Sequence, residues 1–227
     1  MREYMKEQNT RTAIIACETL RDEIVFVKKH LNIELETVWI QGNLHNYPER
    51  LRKSIQDELD LREDYDRILL AFGLCGNAVV GLQSRHSEII MPKVDDCISM
   101  ILGSMDRRKE ISVDSHSFFL TKGWLDHDPN VWDEYVDTME KYGDELGMEV
   151  MQAMYGNYQS ISVIETQAYD IGNVYEQAKR MADAFEFRCL VIPGTLSYLE
   201  TLITGPWDNK DFLRIPPGSV VKAFECL

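Results

Sequence analysis

The sequence predicts an α/β fold, a mostly parallel, Rossmann-like doubly wound sheet with helices on both faces. Two observations carry this. The strand candidates are continuous apolar runs, such as RTAIIAC at Arg11 to Cys17 and ILLAF at Ile68 to Phe72, rather than alternating ones. Strands buried on both faces read this way, and that burial is the mark of parallel sheets under helices. Second, these runs alternate with segments of helical spacing, so each strand is followed by material able to cross back over the sheet. In such folds ligands sit outside the carboxyl ends of the strands.

The elements follow in order. After the first strand, Glu18 to His30 carries Leu20, Ile24, Val27 and Leu31 at helical spacing. Acidic residues stand in its first turn and basic ones in its last, as the helix dipole favours. Ile33 to Ile40 is a second strand, and Pro48 is placed to open a helix whose face is Leu51, Ile55 and Leu59. His45 lies in the intervening loop. The strand at Ile68 to Phe72 breaks at Gly73-Leu74-Cys75-Gly76-Asn77, and a second apolar run, Ala78 to Val80, follows. Glu88 to Met91 is a short strand ending at Pro92. Asp95 or Asp96 caps the helix that begins near Cys97, and Gly103 ends it. Cys97 then lies in a first turn, where a thiolate is favoured.

The second half repeats the pattern. Ser117 to Leu120 is a strand running into Gly123-Trp124, and Asp128 and Pro129 open a helix that Gly143 interrupts. Met148, Met151 and Met154 read as core filling. Ile161 to Thr166 is a strand, Ile171 to Phe185 a helix, Cys189 to Ile192 a strand and Thr195 to Ile203 a helix. The segment Phe212 to Val221 closes over the sheet. Strand, proline, loop, helix and glycine recur at 89–103 and at 190–205, which suggests two related half-sheets. The expected organisation is a flexible segment at 1–10 and a single domain at 11–227, with possible halves at 11–110 and 111–227.

Composition narrows the function. The chain has 227 residues and a net charge of −14, which disfavours nucleic acid and anionic membrane surfaces as partners. No apolar run spans a bilayer and no signal-peptide core opens the sequence, so a cytoplasmic protein is expected. In that compartment the five cysteines are expected to be reduced.

Cys17, His45, Cys75 and Cys97 share one position class, each following a strand and preceding a helix. A parallel sheet brings such turns to one edge. Three thiols and an imidazole suit zinc, and three thiols suit an iron–sulfur cluster with one open iron. Taken singly, Cys17 reads as a small buried hydrophobe and His45 as a residue capping the Pro48 helix. For Cys75 the flanking glycines favour function. Gly73, Gly76, Asn77, Asp95, Asp96 and Trp124 complete the candidate pocket. Cys189, inside a strand, and Cys226, at the end, read as structural.

A competing reading takes Gly73 to Asn77 as a nucleophile elbow centred on Cys75, with Asn77 replacing its last glycine. His45, His86, His116 or His127 would supply the base. A non-catalytic binding module is the third reading. Deep space beside Cys75 would favour an enzyme, and a broad exposed apolar patch a module.

Several of these segments together resemble the family known as domain of unknown function 1638. They are the Cys17 turn, Leu44 to Pro48, Gly73 to Asn77, Asp96-Cys97-Ile98 with Leu102-Gly103-Ser104, Gly123-Trp124 and Pro216-Pro217-Gly218. Where the family pattern has a histidine before the aspartate and cysteine, this sequence has Asp95, so no histidine ligand arises there. The resemblance implies a cytoplasmic protein of anaerobic bacteria and methanogenic archaea, associated with corrinoid-dependent methyl transfer. Corrinoid would then enter only through a partner, a corrinoid or methyltransferase protein.

Overall fold

A computed structural model describes residues 10–127, 131–208 and 210–223. The fold is mixed α/β. Its larger sheet is built from β1 (Thr12–Cys17), β2 (Glu36–Ile40), β3 (Arg67–Ala71), β4 (Glu88–Pro92) and β8 (Phe212–Ile215), in the order β2-β1-β3-β4-β8. The first four strands are parallel, and β8 pairs antiparallel with β4. A smaller, wholly parallel sheet contains β5 (Ser117–Leu120), β6 (Ser160–Glu165) and β7 (Arg188–Pro193).

The helices are α1 (Arg21–Leu31), α2 (Pro48–Asp60), α3 (Cys97–Leu102), α4 (Met105–Ser115), α5 (Lys122–His127), α6 (Val131–Tyr142), α7 (Asp144–Tyr155), α8 (Ile171–Ala184) and α9 (Ser197–Thr204). One face of the large sheet, with Ile14, Leu69 and Ile90, packs on α1, α3 and α9. The other face, with Ile15, Ile68 and Leu70, packs on Leu51, Ile55 and Leu59 of α2 and on the turn residues Ala78, Val79 and Leu82. Burial on both faces explains why these strands are apolar throughout. On the small sheet, Ile161 and Val163 pack on Val174, Ala178 and Met181 of α8 and on Met151 of α7.

The two sheets are interlocked. Although α9 follows β7, it packs on α1, α3, β3 and β4 of the large sheet. The Thr195 amide donates to the Ile101 carbonyl at 2.7 Å, which ties the two proline-loop-helix segments together. Phe119 and Ile164 of the small sheet enter the core beneath α1 and α9.

Several local expectations need correction. Cys75 does not precede a regular helix, because residues 73–87 run through turns and bends. The reason is the backbone: Cys75, Gly76 and Asn77 all have positive φ, at 45°, 64° and 71°, which no right-handed helix admits. Met154 is half exposed and fills no core, whereas Met151 is fully buried. The helix at 18–30 begins with a 3₁₀ turn, Glu18–Leu20, before α1. The expectations at residues 1–9, at Asp128 and Pro129 and at Cys226 lie outside the described residues. Among the described residues no helix is long and apolar enough to cross a membrane.

Candidate functional site

In the order β2-β1-β3-β4 the chain goes from β1 to one side and then continues from β3 on the other. The gap between the carboxyl ends of β1 and β3 is therefore a switch point, where crossover connections diverge and leave a crevice. A cavity of about 230 Å³ lies at this edge. Cys17 lines it from the end of β1, Gly42 and His45 from the loop after β2, and Phe72 and Cys75 from the loop after β3. Asp95, Asp96 and Cys97 line it from the loop after β4, and Trp124 from α5.

Two glycines make this convergence possible. A β-carbon on Gly73 would lie 2.5 Å from the Asp96 Cα and 2.6 Å from its nitrogen. Only a bare backbone lets the loop after β3 approach the loop after β4 so closely. The contact is sealed by backbone bonds from the Leu74 amide to the Val94 carbonyl at 2.9 Å and from the Cys75 amide to the Asp95 carbonyl at 2.8 Å. Gly123 does the same for α5. A β-carbon there would meet the Thr19 carbonyl oxygen at 1.9 Å, so α5 abuts the turn after β1 and brings Trp124 to the wall.

Asp96 caps α3, its side chain accepting from the Ser99 amide at 3.0 Å, so of the two candidate aspartates it is the cap. The Arg108 guanidinium, from α4, bridges Asp95 and Asp96 at 2.7 Å each through Nη1. His45 Nδ1 bonds the Gly42 carbonyl at 2.8 Å, and because a carbonyl only accepts, Nδ1 carries the proton. The His45 ring lies 5.2 Å from the Trp124 ring.

Cys17 and Cys97 are buried and Cys75 is half-buried. Cys17 Sγ is 3.1 Å from Thr19 Oγ1. Burial pushes the Cys75 thiol up to about 12, and Cys17 and Asp96 push it the same way. Burial, then Cys17, Asp96 and Cys75, push the Cys97 thiol well above its ordinary value. This corrects the expected thiolate at Cys97: desolvation of a buried thiol outweighs the pull of a six-residue helix. The Trp124 indole favours charge on Cys97, but its buried Nε1–H makes no hydrogen bond within normal distance.

The structure thus brings Cys17, His45, Cys75, Gly76, Asp95, Asp96, Cys97 and Trp124 to one cavity. Gly73 supports it from beneath. Asn77 does not line it; its carbonyl accepts from Arg52 Nη2 at 3.1 Å and the residue is exposed. His86 is exposed in the loop leading into β4, at the opposite edge of the sheet, and His127 stands 3.7 Å from Glu18. Arg108 was not found from the sequence, since nothing in its helical surroundings marks it. Thr19 and Phe72 were missed as wall residues because they read as helix and strand interior.

The family model described as Protein of unknown function (DUF1638) matches residues 39–203. The chain belongs to that family. Within the DUF1638 match lie His45, Cys75, Asp95, Asp96, Cys97 and Trp124, whereas Cys17 precedes it. Comparison with curated proteins and with solved structures finds no match.

Proposed function

We propose that this DUF1638 chain is a thiolate metal-site protein acting on a small molecule in the cavity at the sheet edge. The observation that carries the reading is the convergence of Cys17, Cys75 and Cys97 on one cavity, with His45 on the same wall. The donor chemistry fits zinc or an iron–sulfur cluster. Three neighbouring thiols repel one another as thiolates, and a soft cation is what compensates such charge while displacing the protons. His45 would ligate through Nε2, because Nδ1 is engaged with Gly42, and that bond is of the kind that orients a ligating imidazole. As the side chains stand, no group of three His, Cys, Asp or Glu among the described residues has ligand geometry. Coordination therefore requires these side chains to move from their present positions. A bound metal would supply Lewis-acid or thiolate-activating chemistry. The chain itself encloses the site with Phe72 and Trp124 and holds Asp95 and Asp96 beside it.

The raised thiols favour this reading over a free cysteine nucleophile. An unassisted nucleophile needs a lowered pKa, and Cys75 is shifted the other way. Its positive φ after β3 does give it the strained turn of a nucleophile elbow, but no helix follows. The setting, anaerobic one-carbon metabolism with a corrinoid or methyltransferase partner in the cytoplasm, is proposed on family membership.

The test is elemental analysis with a visible absorption spectrum on protein purified without oxygen, for the wild type and Cys75→Ser. Stoichiometric zinc without colour supports a zinc site, and iron with sulfide and a brown colour supports a cluster. Either should fall at least severalfold in Cys75→Ser with the circular dichroism unchanged. Absence of metal from wild-type protein, or full metal in the variant, overturns the reading.

A further inference from the structure

A second cavity, of about 370 Å³, adjoins the thiol cavity, and Asp96 and Trp124 line both. Its floor is apolar, with Ile98 and Phe119 buried. Phe118 and Tyr158 form one side, their rings edge-on at 5.6 Å. Arg108 lines the same space. It therefore combines an aromatic slot with a permanently charged fork donor, at the size of a small-molecule site.

The guanidinium of Arg108 bears on this space. The contacts of Arg108 to Asp95 and Asp96 both run through Nη1. Among the described residues Nη2 and Nε make no hydrogen bond to protein, so the edge of the guanidinium that binds carboxylates bidentately is left over. The aspartates hold the head still, which lowers the ordering cost of a ligand contact. Trp124 stands on the wall common to both cavities, and its indole favours charge on Cys97.

The geometry points to this second cavity as the substrate compartment, taking a small carboxylate with a flat or apolar body, its carboxylate on the Nη2–Nε edge of Arg108 and its body against Phe118 and Tyr158. The assignment deepens the proposed function and rests on it for what happens next door, since the shared wall at Asp96 and Trp124 is where such a ligand meets the thiol cavity. Two aspartates outnumber one guanidinium here, so selection comes from fork geometry rather than net charge. A matched neutral ligand tests that distinction.

The experiment is isothermal titration calorimetry of the full chain with phenylacetate and with phenylacetamide. The compartment predicts at least tenfold tighter binding of phenylacetate. Arg108→Gln should bring the two ligands level. Arg108→Lys keeps a charge for the aspartates but has no fork, and should do the same while its melting temperature stays near that of the wild type. Undetectable phenylacetate binding, equal binding of the amide, or unchanged selectivity in Arg108→Lys overturns the proposal. Metal content is measured on the same preparations. Selective binding by wild-type protein without metal would sink the metal-site reading and leave the compartment standing, while metal-loaded protein blind to phenylacetate would do the reverse.

Discussion

Gly73 shows how much of the site depends on single atoms. With the Asp96 backbone at 2.5 Å from its missing β-carbon, Gly73→Ala has to push the loops after β3 and β4 apart. We expect a loss of about 1–3 kcal/mol, as for other forced insertions into close packing, read as a lower urea midpoint. A variant as stable as the wild type would show that the two loops are not locked. Cys189 makes the opposite case. It is half-buried on β7, packs against the α8 core and is remote from the cavity. Cys189→Ala should cost about 1 kcal/mol of stability and leave metal content unchanged. Loss of metal in this variant would mean that the wrong cysteines have been assigned.

At the scale of elements, the short α3 is the hinge of the arrangement. It has six residues, all buried, and it starts at Cys97 and stops at Gly103 with φ at 92°. So brief a helix has little stability of its own, so its cap and its packing carry it. Asp96→Ala removes the bond to the Ser99 amide and one of the two carboxylates on Arg108. The cap alone is worth about 1 kcal/mol, and in a chain of this size that lowers the melting temperature by about 2–4 °C. An unchanged melting curve would show that packing of Ile98, Met100 and Ile101 suffices to hold Cys97 in place.

The whole molecule is two sheets joined by α1, α5 and α9, and the joint contains a buried acid. Glu23 of α1 is fully buried. Thr166, just after β6, donates to its Oε1 at 3.1 Å, and among the described residues its Oε2 has no partner. Burial raises its pKa to about 7, against the bonds from its own backbone amide and Thr166; nearby Asp22 raises it further and Lys122 lowers it. Tyr169 faces it as well. The carboxyl thus binds its proton more tightly folded than unfolded. The stability it contributes is complete below the unfolded value, near 4.5, and is lost as pH rises through about 7. The shift corresponds to about 3 kcal/mol across that window. Chemical denaturation at pH 5 and pH 8 should show this fall in the wild type, and Glu23→Gln should flatten it. An equal fall in both proteins would assign the pH dependence to other groups.

Most element types, and membership of the family, are legible in the residues alone. Strands buried on both faces must be apolar throughout, helices must show a 3.6-residue period, and both signals are local. The placement of Cys17, His45, Cys75 and Cys97 after strands also followed from local pattern once the sheet was taken as parallel, because parallel strands end at one edge. What lay beyond local pattern was set by contacts between distant segments. The turn at Cys75 to Asn77 is left-handed, and its loop is stitched to residues twenty positions away. The thiol at Cys97 is raised because desolvation, a property of the assembled core, exceeds the pull of a short helix. Arg108 reaches the site only because α4 packs beside the loop after β4, and Glu23 is a buried acid only because the second sheet closes over α1. Local periodicity encodes which face of an element is apolar; the tertiary structure alone decides what that face meets.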